Sequence, residues 1–164
     1  MDFKASMDIK TYVITASVIL LIFALSNVTS WMSEDHVLNQ WFVMGLPVFC
    51  LLILVIVYGF SIKSYTLTAD QLIIRRPFKD AVYQRNELAD CEMIDQSASG
   101  FALRLFGSGG FFGYFGIFTN KQLGRYTLYG TQLKNYVGIT LKNGKKIVIT
   151  PDLPEEFVAQ LKLV

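Results

Sequence analysis

Trp41-Phe-Val-Met-Gly-Leu-Pro-Val-Phe-Cys-Leu-Leu-Ile-Leu-Val-Ile-Val-Tyr-Gly-Phe-Ser-Ile62 holds no charged side chain, and the residue that ends it is Lys63. Upstream, Thr11 to Ser33 is also uncharged, and only Glu34-Asp35-His36 separates it from the uncharged run Val37–Ile62. At about 1.5 Å of rise per residue, either run is long enough as a helix to cross a hydrocarbon layer of roughly 30 Å. The pattern predicts a two-helix transmembrane hairpin over residues 1–63, with spans at about 11–29 and 41–62. A soluble domain over residues 64–164 follows.

Interfacial residues agree with that reading. Trp31 and Trp41 bracket the short connection, while Tyr12 and Tyr58 lie toward the opposite ends. The connection carries Glu34 and Asp35 but no Lys or Arg, whereas Lys4, Lys10, Lys63, Arg75, Arg76 and Lys79 flank the other ends. The positive-inside rule then puts both termini in the cytoplasm. A cleaved leader is the rival for the first run, with Ala24-Leu25-Ser26 as its small-residue site. Its leading segment lacks net positive charge, since Asp2 and Asp8 offset Lys4 and Lys10. No ionisable side chain lies within either span, so anchoring is favoured over transport. Gly45 and Pro47 are placed to kink the second helix.

Composition narrows the function. The chain has 164 residues, and the last hundred or so suffice for one small core. Residues 64–164 hold twelve Lys or Arg against nine Asp or Glu, an excess suited to a membrane surface and too small for nucleic acid. Cys50 lies in a span and Cys91 in the soluble part, so no disulfide framework is expected. His36 is the only histidine, and no cluster suited to zinc or another cofactor surrounds it.

From Tyr65 the pattern is that of strands. Tyr65–Thr68 and Gln71–Arg75 flank Ala69-Asp70 as a tight hairpin, and Ala81–Arg85 and Ala89–Asp95 extend the series. Gly124–Tyr129 follows a Gly-rich aromatic stretch. Lys142-Asn143-Gly144 is the strongest hairpin signal, between Tyr136–Leu141 and Lys145–Ile149. Val137, Ile139 and Leu141 alternate as a half-buried strand requires. At the end, Asp152 and Glu155 fit a capping box around Pro154, and Phe157, Leu161 and Val164 recur at helical spacing. The fold class is a membrane α-hairpin plus a mainly-β domain of about seven antiparallel strands with a C-terminal helix over one open end.

These features together resemble bacterial pleckstrin-homology (PH-like) proteins. The resemblance rests on Tyr65–Pro77, on Phe106-Gly-Ser-Gly-Gly-Phe-Phe-Gly-Tyr-Phe-Gly116, on Gly124-Arg-Tyr-Thr-Leu-Tyr-Gly130 and on Ile147-Val-Ile-Thr-Pro-Asp152. It implies a PH-like β-sandwich or barrel capped by a helix, at the bacterial inner membrane. Such folds host lipid binding, protein binding and oligomerisation, so the fold leaves function open.

Three site readings follow. The segment Gly107–Gly113 lacks the Gly-Lys-Ser/Thr ending of a phosphate loop, and Phe112 stands where a dinucleotide motif needs glycine. Its aromatics are then either core, or, for Phe111, Phe112, Tyr114 and Phe115, contacts to the bilayer or a partner. Arg75, Arg76, Lys79, Lys121 and Arg125 offer diffuse attraction to anionic lipid. A stereospecific phosphoinositide cage is disfavoured, because the first strand connection is only Ala69-Asp70 and Asp70 has the wrong sign. The soluble part has no histidine, and Asp90 with Glu92 shows no sign of a cleft, so catalysis has little support. The expected function is a non-enzymatic interaction or assembly module that binds a protein partner or itself. The alternative is a sensor of anionic membrane lipid.

Overall fold

A computed structural model describes residues 1–34, 40–94 and 102–162. Two helices, α1 (Ile9–Glu34, 26 residues) and α2 (Gln40–Gly59, 20 residues), pack on one another. Within α1, Ile9–Val28 is long and apolar enough to cross a membrane, and 6% of it is buried inside the protein. A core helix of a soluble protein would be mostly buried. In α2 the described apolar part is the shorter Gly45–Gly59, where Val48, Phe49, Leu51 and Leu52 are all more than half exposed. Pro47 sits inside α2. The expected connection at Asp35-His36 lies outside the described residues.

The β-domain has two sheets. One is β1 (Asp2–Lys4), β2 (Ser64–Leu67), β3 (Gln71–Arg75) and β4 (Ala81–Gln84), antiparallel in that order. The other runs β5 (Leu88–Ile94), β9 (Tyr136–Leu141), β10 (Lys146–Ile149), β8 (Gly124–Gly130), β7 (Tyr114–Asn120) and β6 (Leu103–Gly109). The mainly-β fold with a C-terminal helix is as expected, but three details differ. Among the described residues, nine strands follow Lys63 rather than about seven, because the Gly/aromatic stretch folds into its own hairpin, β6–β7. The β8–β10 pair is parallel, since β10 inserts between β9 and β8. Finally, the short strand β1 precedes the helices and pairs with β2, which follows them.

Alternation builds the core. Tyr65 and Leu67, Leu72 and Ile74, Val137 and Ile139 all point between the sheets. Helix α3 (Pro154–Lys162) packs against β5 and β9 and inserts Phe157 and Leu161. The Phe157 ring meets Phe3 of β1 edge-on at 5.1 Å and Tyr65 at 6.4 Å. Arg85 holds the far end of α3 by donating to the Gln160 and Leu161 carbonyls, each at 2.9 Å. The expected cap at the other end is not formed by Asp152. Its carboxylate instead accepts from the Ser6 amide and hydroxyl, at 3.0 and 2.5 Å, and so ties down the segment before α1.

Candidate functional site

The chain leaves and re-enters the β-domain at one place, and a polar joint fixes it there. Asp8 caps α1, its Oδ1 accepting from the Thr11 amide at 2.8 Å. The Thr11 hydroxyl donates to the Thr131 carbonyl, and the Thr131 hydroxyl donates to the Ser6 carbonyl. Thr150 Oγ1 accepts from the Thr131 amide at 3.0 Å. Thr11, Thr131 and Thr150 are fully buried, so these bonds satisfy groups that water cannot reach. Beneath them the Tyr65 hydroxyl donates to the Tyr129 carbonyl at 2.6 Å and accepts from the Thr150 amide at 3.2 Å. Burial pushes its phenol up to about 12.

The Gly/aromatic turn between β6 and β7 lies against both helices. The Phe112 amide donates to Thr15 Oγ1 of α1 at 3.0 Å, and the Phe112 ring meets Tyr58 of α2 edge-on at 5.5 Å. Phe111 packs on Phe112 at 4.7 Å. Phe112 holds a left-handed φ of 55°, a strained conformation kept by these contacts. The Ser108 hydroxyl closes the turn onto the Phe111 carbonyl at 2.6 Å. The four aromatics singled out from the sequence thus separate. Tyr114 is buried in a second cluster with Phe118, Tyr126, Leu128 and Val148, and Phe115 packs against the main core. Phe112, backed by Phe111, seats the helices.

The five basic residues do not form one patch. Arg75 bonds Asp80 at 2.6 Å. The Arg76 amide, followed by that Arg75 pair, holds the Asp80 carboxyl below its usual range. Lys79 is exposed nearby. Lys121 and Arg125 are exposed at the other end of the β7–β8 hairpin, where Asn120 pairs with Gly124. Arg125 lies four residues along β8 from Tyr129, about 13 Å at the rise of a strand, so Arg125 and Lys121 stand apart from Arg76.

Arg76 belongs to a different feature. An apolar cleft of about 640 Å³ lies between the end of α2 and the outer β-hairpins. Ile56 and Val57 of α2 and Phe60 just beyond its end form one wall, with Phe106, Phe115 and Ile117 opposite. Thr127 and Tyr129 of β8 also line it. The Arg76 guanidinium stands 5.6 Å from the Phe60 ring centre and 5.8 Å from that of Tyr129. Its Nε is buried without a hydrogen-bond partner among the described residues. Among the described residues, no Asp or Glu lines the cleft. Sequence reasoning named Arg76 but not this setting, because the cleft needs a helix end and two hairpins far apart in the chain.

A sequence model described as a bacterial PH domain matches residues 63–164. No curated protein and no solved structure matches the chain.

Proposed function

Because this chain belongs to the bacterial PH domain family, we propose that it is a membrane-anchored, non-enzymatic interaction module. The α1–α2 hairpin holds the PH-like domain at the cytoplasmic face of the bacterial inner membrane, where it engages a protein partner or a second copy of itself. The domain type supports a binding role, and the exposed apolar surfaces of α1 and α2 support the anchor.

The pairing of β1 with β2 carries this reading. Asp2 stands opposite Thr66, Phe3 opposite Tyr65 and Lys4 opposite Ser64. The chain departs from a sheet into α1 and returns from α2 to the neighbouring strand, so a crossing by α1 requires a return by α2. Removal of a leader at Ala24–Ser26 would take Phe3 out of the core, which favours retention of the first helix. Assembly is favoured over diffuse lipid attraction by the pairing of Arg75 with Asp80 and the distance of Lys121 and Arg125. The exposed Leu103 and Leu105 on β6, at the end of its sheet, suit a partner surface.

Orientation is tested with Cys50→Ala as background, because Cys91 is buried and its thiol is pushed to about 11 by burial. Ser33→Cys should react with an impermeant thiol reagent in intact cells, and Lys121→Cys only after lysis. The reverse pattern would move the domain outside. Copurification of the full chain in mild detergent should recover a partner or a self-associated form. A monomer with no partner at native expression would count against assembly. The sensor of anionic lipid remains the second reading, favoured by the cleft around Arg76.

A further inference from the structure

We propose that the cleft between α2 and the β6–β8 face holds one acyl chain of an anionic phospholipid drawn from the bilayer, with the lipid phosphate set against Arg76. This rests on the membrane-anchored reading above and adds a ligand and a location to it.

Four observations converge. The cleft, about 640 Å³, is of the size that takes small ligands, and its walls are almost wholly hydrocarbon and aromatic. One wall is α2 itself, through Ile56 and Val57, with Phe60 just beyond its end, so the cleft continues the apolar surface that α2 exposes at Leu52, Ile53 and Val55. A chain can pass from the bilayer into the cleft without crossing water. Two charged side chains line the cleft: Arg104, whose guanidinium lies beside Gly109, and Arg76, held at the Phe60 end between two rings with its Nε unpartnered among the described residues. A guanidinium in that state is suited to a phosphate oxygen, which accepts several of its donors at once. Arg75 takes up the neighbouring Asp80 carboxylate by its side chain, while Arg76 gives Asp80 only its main-chain amide, so the Arg76 charge is left for a ligand.

The same chemistry argues against a polypeptide occupant. A peptide laid in this cleft would bury most of its amides against apolar walls, since Arg76, Arg104, Ser108, Thr127 and Tyr129 supply the only polar side chains among the described lining residues. An acyl chain has no such groups. The site also differs from diffuse attraction by surface lysines, since it requires both a buried chain and one arginine.

The test uses the full chain, purified in mild detergent, stripped of lipid and titrated with phosphatidylglycerol, phosphatidylcholine and free glycerol phosphate, with retained ligand counted by native mass spectrometry. One phosphatidylglycerol should be retained, with roughly fivefold preference over phosphatidylcholine from one arginine near the surface. Arg76→Gln should remove that preference and keep the chain-dependent retention. Thr127→Trp should fill the cleft and abolish retention of both lipids. Ile56→Trp fills it from the exposed helix side and decides the matter if Thr127→Trp does not fold. Glycerol phosphate binding as well as the intact lipid would replace the proposal with a phosphate site. Unchanged retention in a folded Ile56→Trp protein would overturn it, as would a crosslink from Phe106 to a polypeptide. Extraction of the native membrane with alkaline carbonate separates the two readings: release of the chain defeats the anchor, whereas a chain that stays in the membrane but retains no lipid in detergent defeats only the cleft.

Discussion

Gly144 and Gly116 both hold backbone angles that side chains rarely adopt, with φ of 80° and 126°. Gly144 closes the turn from β9 to β10, and a Cβ placed there would meet nothing within 4 Å. Its requirement is local, a left-handed residue after Asn143, and the neighbouring residues announce it. Gly116 stands opposite Gly107 on the next strand. A Cβ on Gly116 would run into the Phe106 carbonyl oxygen and lie 2.7 Å from the Gly107 Cα, and one on Gly107 would run into the Phe115 carbonyl oxygen. Two backbones approach there more closely than any side chain allows. The first glycine serves its own turn, the second a partner strand, and only the second is tied to the wall of the cleft.

That contrast predicts unequal costs. Gly116→Ala should have the largest effect, because the added methyl meets backbone that cannot move alone. The expected result is loss of the cooperative melt of the full chain in mild detergent, followed by near-ultraviolet circular dichroism. A variant melting within a few degrees of the parent would show that β6 and β7 can separate freely, and the contrast would fail.

The next test extends the contrast from glycines to apolar side chains. Phe3 lies before the helices and packs on Phe157 near the C-terminus. Phe3→Ala should cost about 3 kcal/mol, the usual penalty for emptying a buried phenyl site. If its melting temperature is unchanged, β1 is an ornament on the sheet rather than part of the core.

Alkaline pH probes the joint. Tyr65 keeps its proton to about pH 12 in the folded protein, whereas an unfolded tyrosine loses it near 10. The stability this confers is complete below pH 10 and is lost as pH rises from 10 to about 12. Tyr136, also raised to about 12 by burial, adds to the same slope. Melting temperature should therefore fall across that window, and Tyr65→Phe should make the fall shallower. An unaltered slope would place the titration elsewhere.

The smallest effect belongs to Gly144→Ala, about 1 kcal/mol from the left-handed backbone alone. A cost equal to that of Gly116→Ala would erase the distinction between the two turns.

The same division explains what could be read in advance. The Asn143-Gly144 hairpin, the alternation through Val137, Ile139 and Leu141, and the helical spacing of Phe157 and Leu161 depend on near neighbours, and the structure contains all three. The strand β1 could not be read from Asp2-Phe3-Lys4, since three residues give no period and the partner lies 64 residues on. Asp152 fitted a helix cap by spacing, yet Ser6 claims its carboxylate from 146 residues away. At the candidate site, Arg75 and Arg76 look alike in sequence. A single carboxylate at Asp80 and the rings of Phe60 and Tyr129 give them opposite circumstances. The aromatic segment posed a choice between core and interface, and its residues divide among core, helix seat and cleft.

The placement of β1 also sets an order of assembly. During synthesis Asp2–Lys4 leaves the ribosome before either helix, and its partner strand exists only after both have been made. The first strand must therefore wait, unpaired, while the helices are made, and it completes the domain by closing a loop that already contains them. Once closed, the sheet clasps the two helix ends together, so they cannot part on the domain side without unzipping β1 from β2 and withdrawing Phe3 from beneath Phe157.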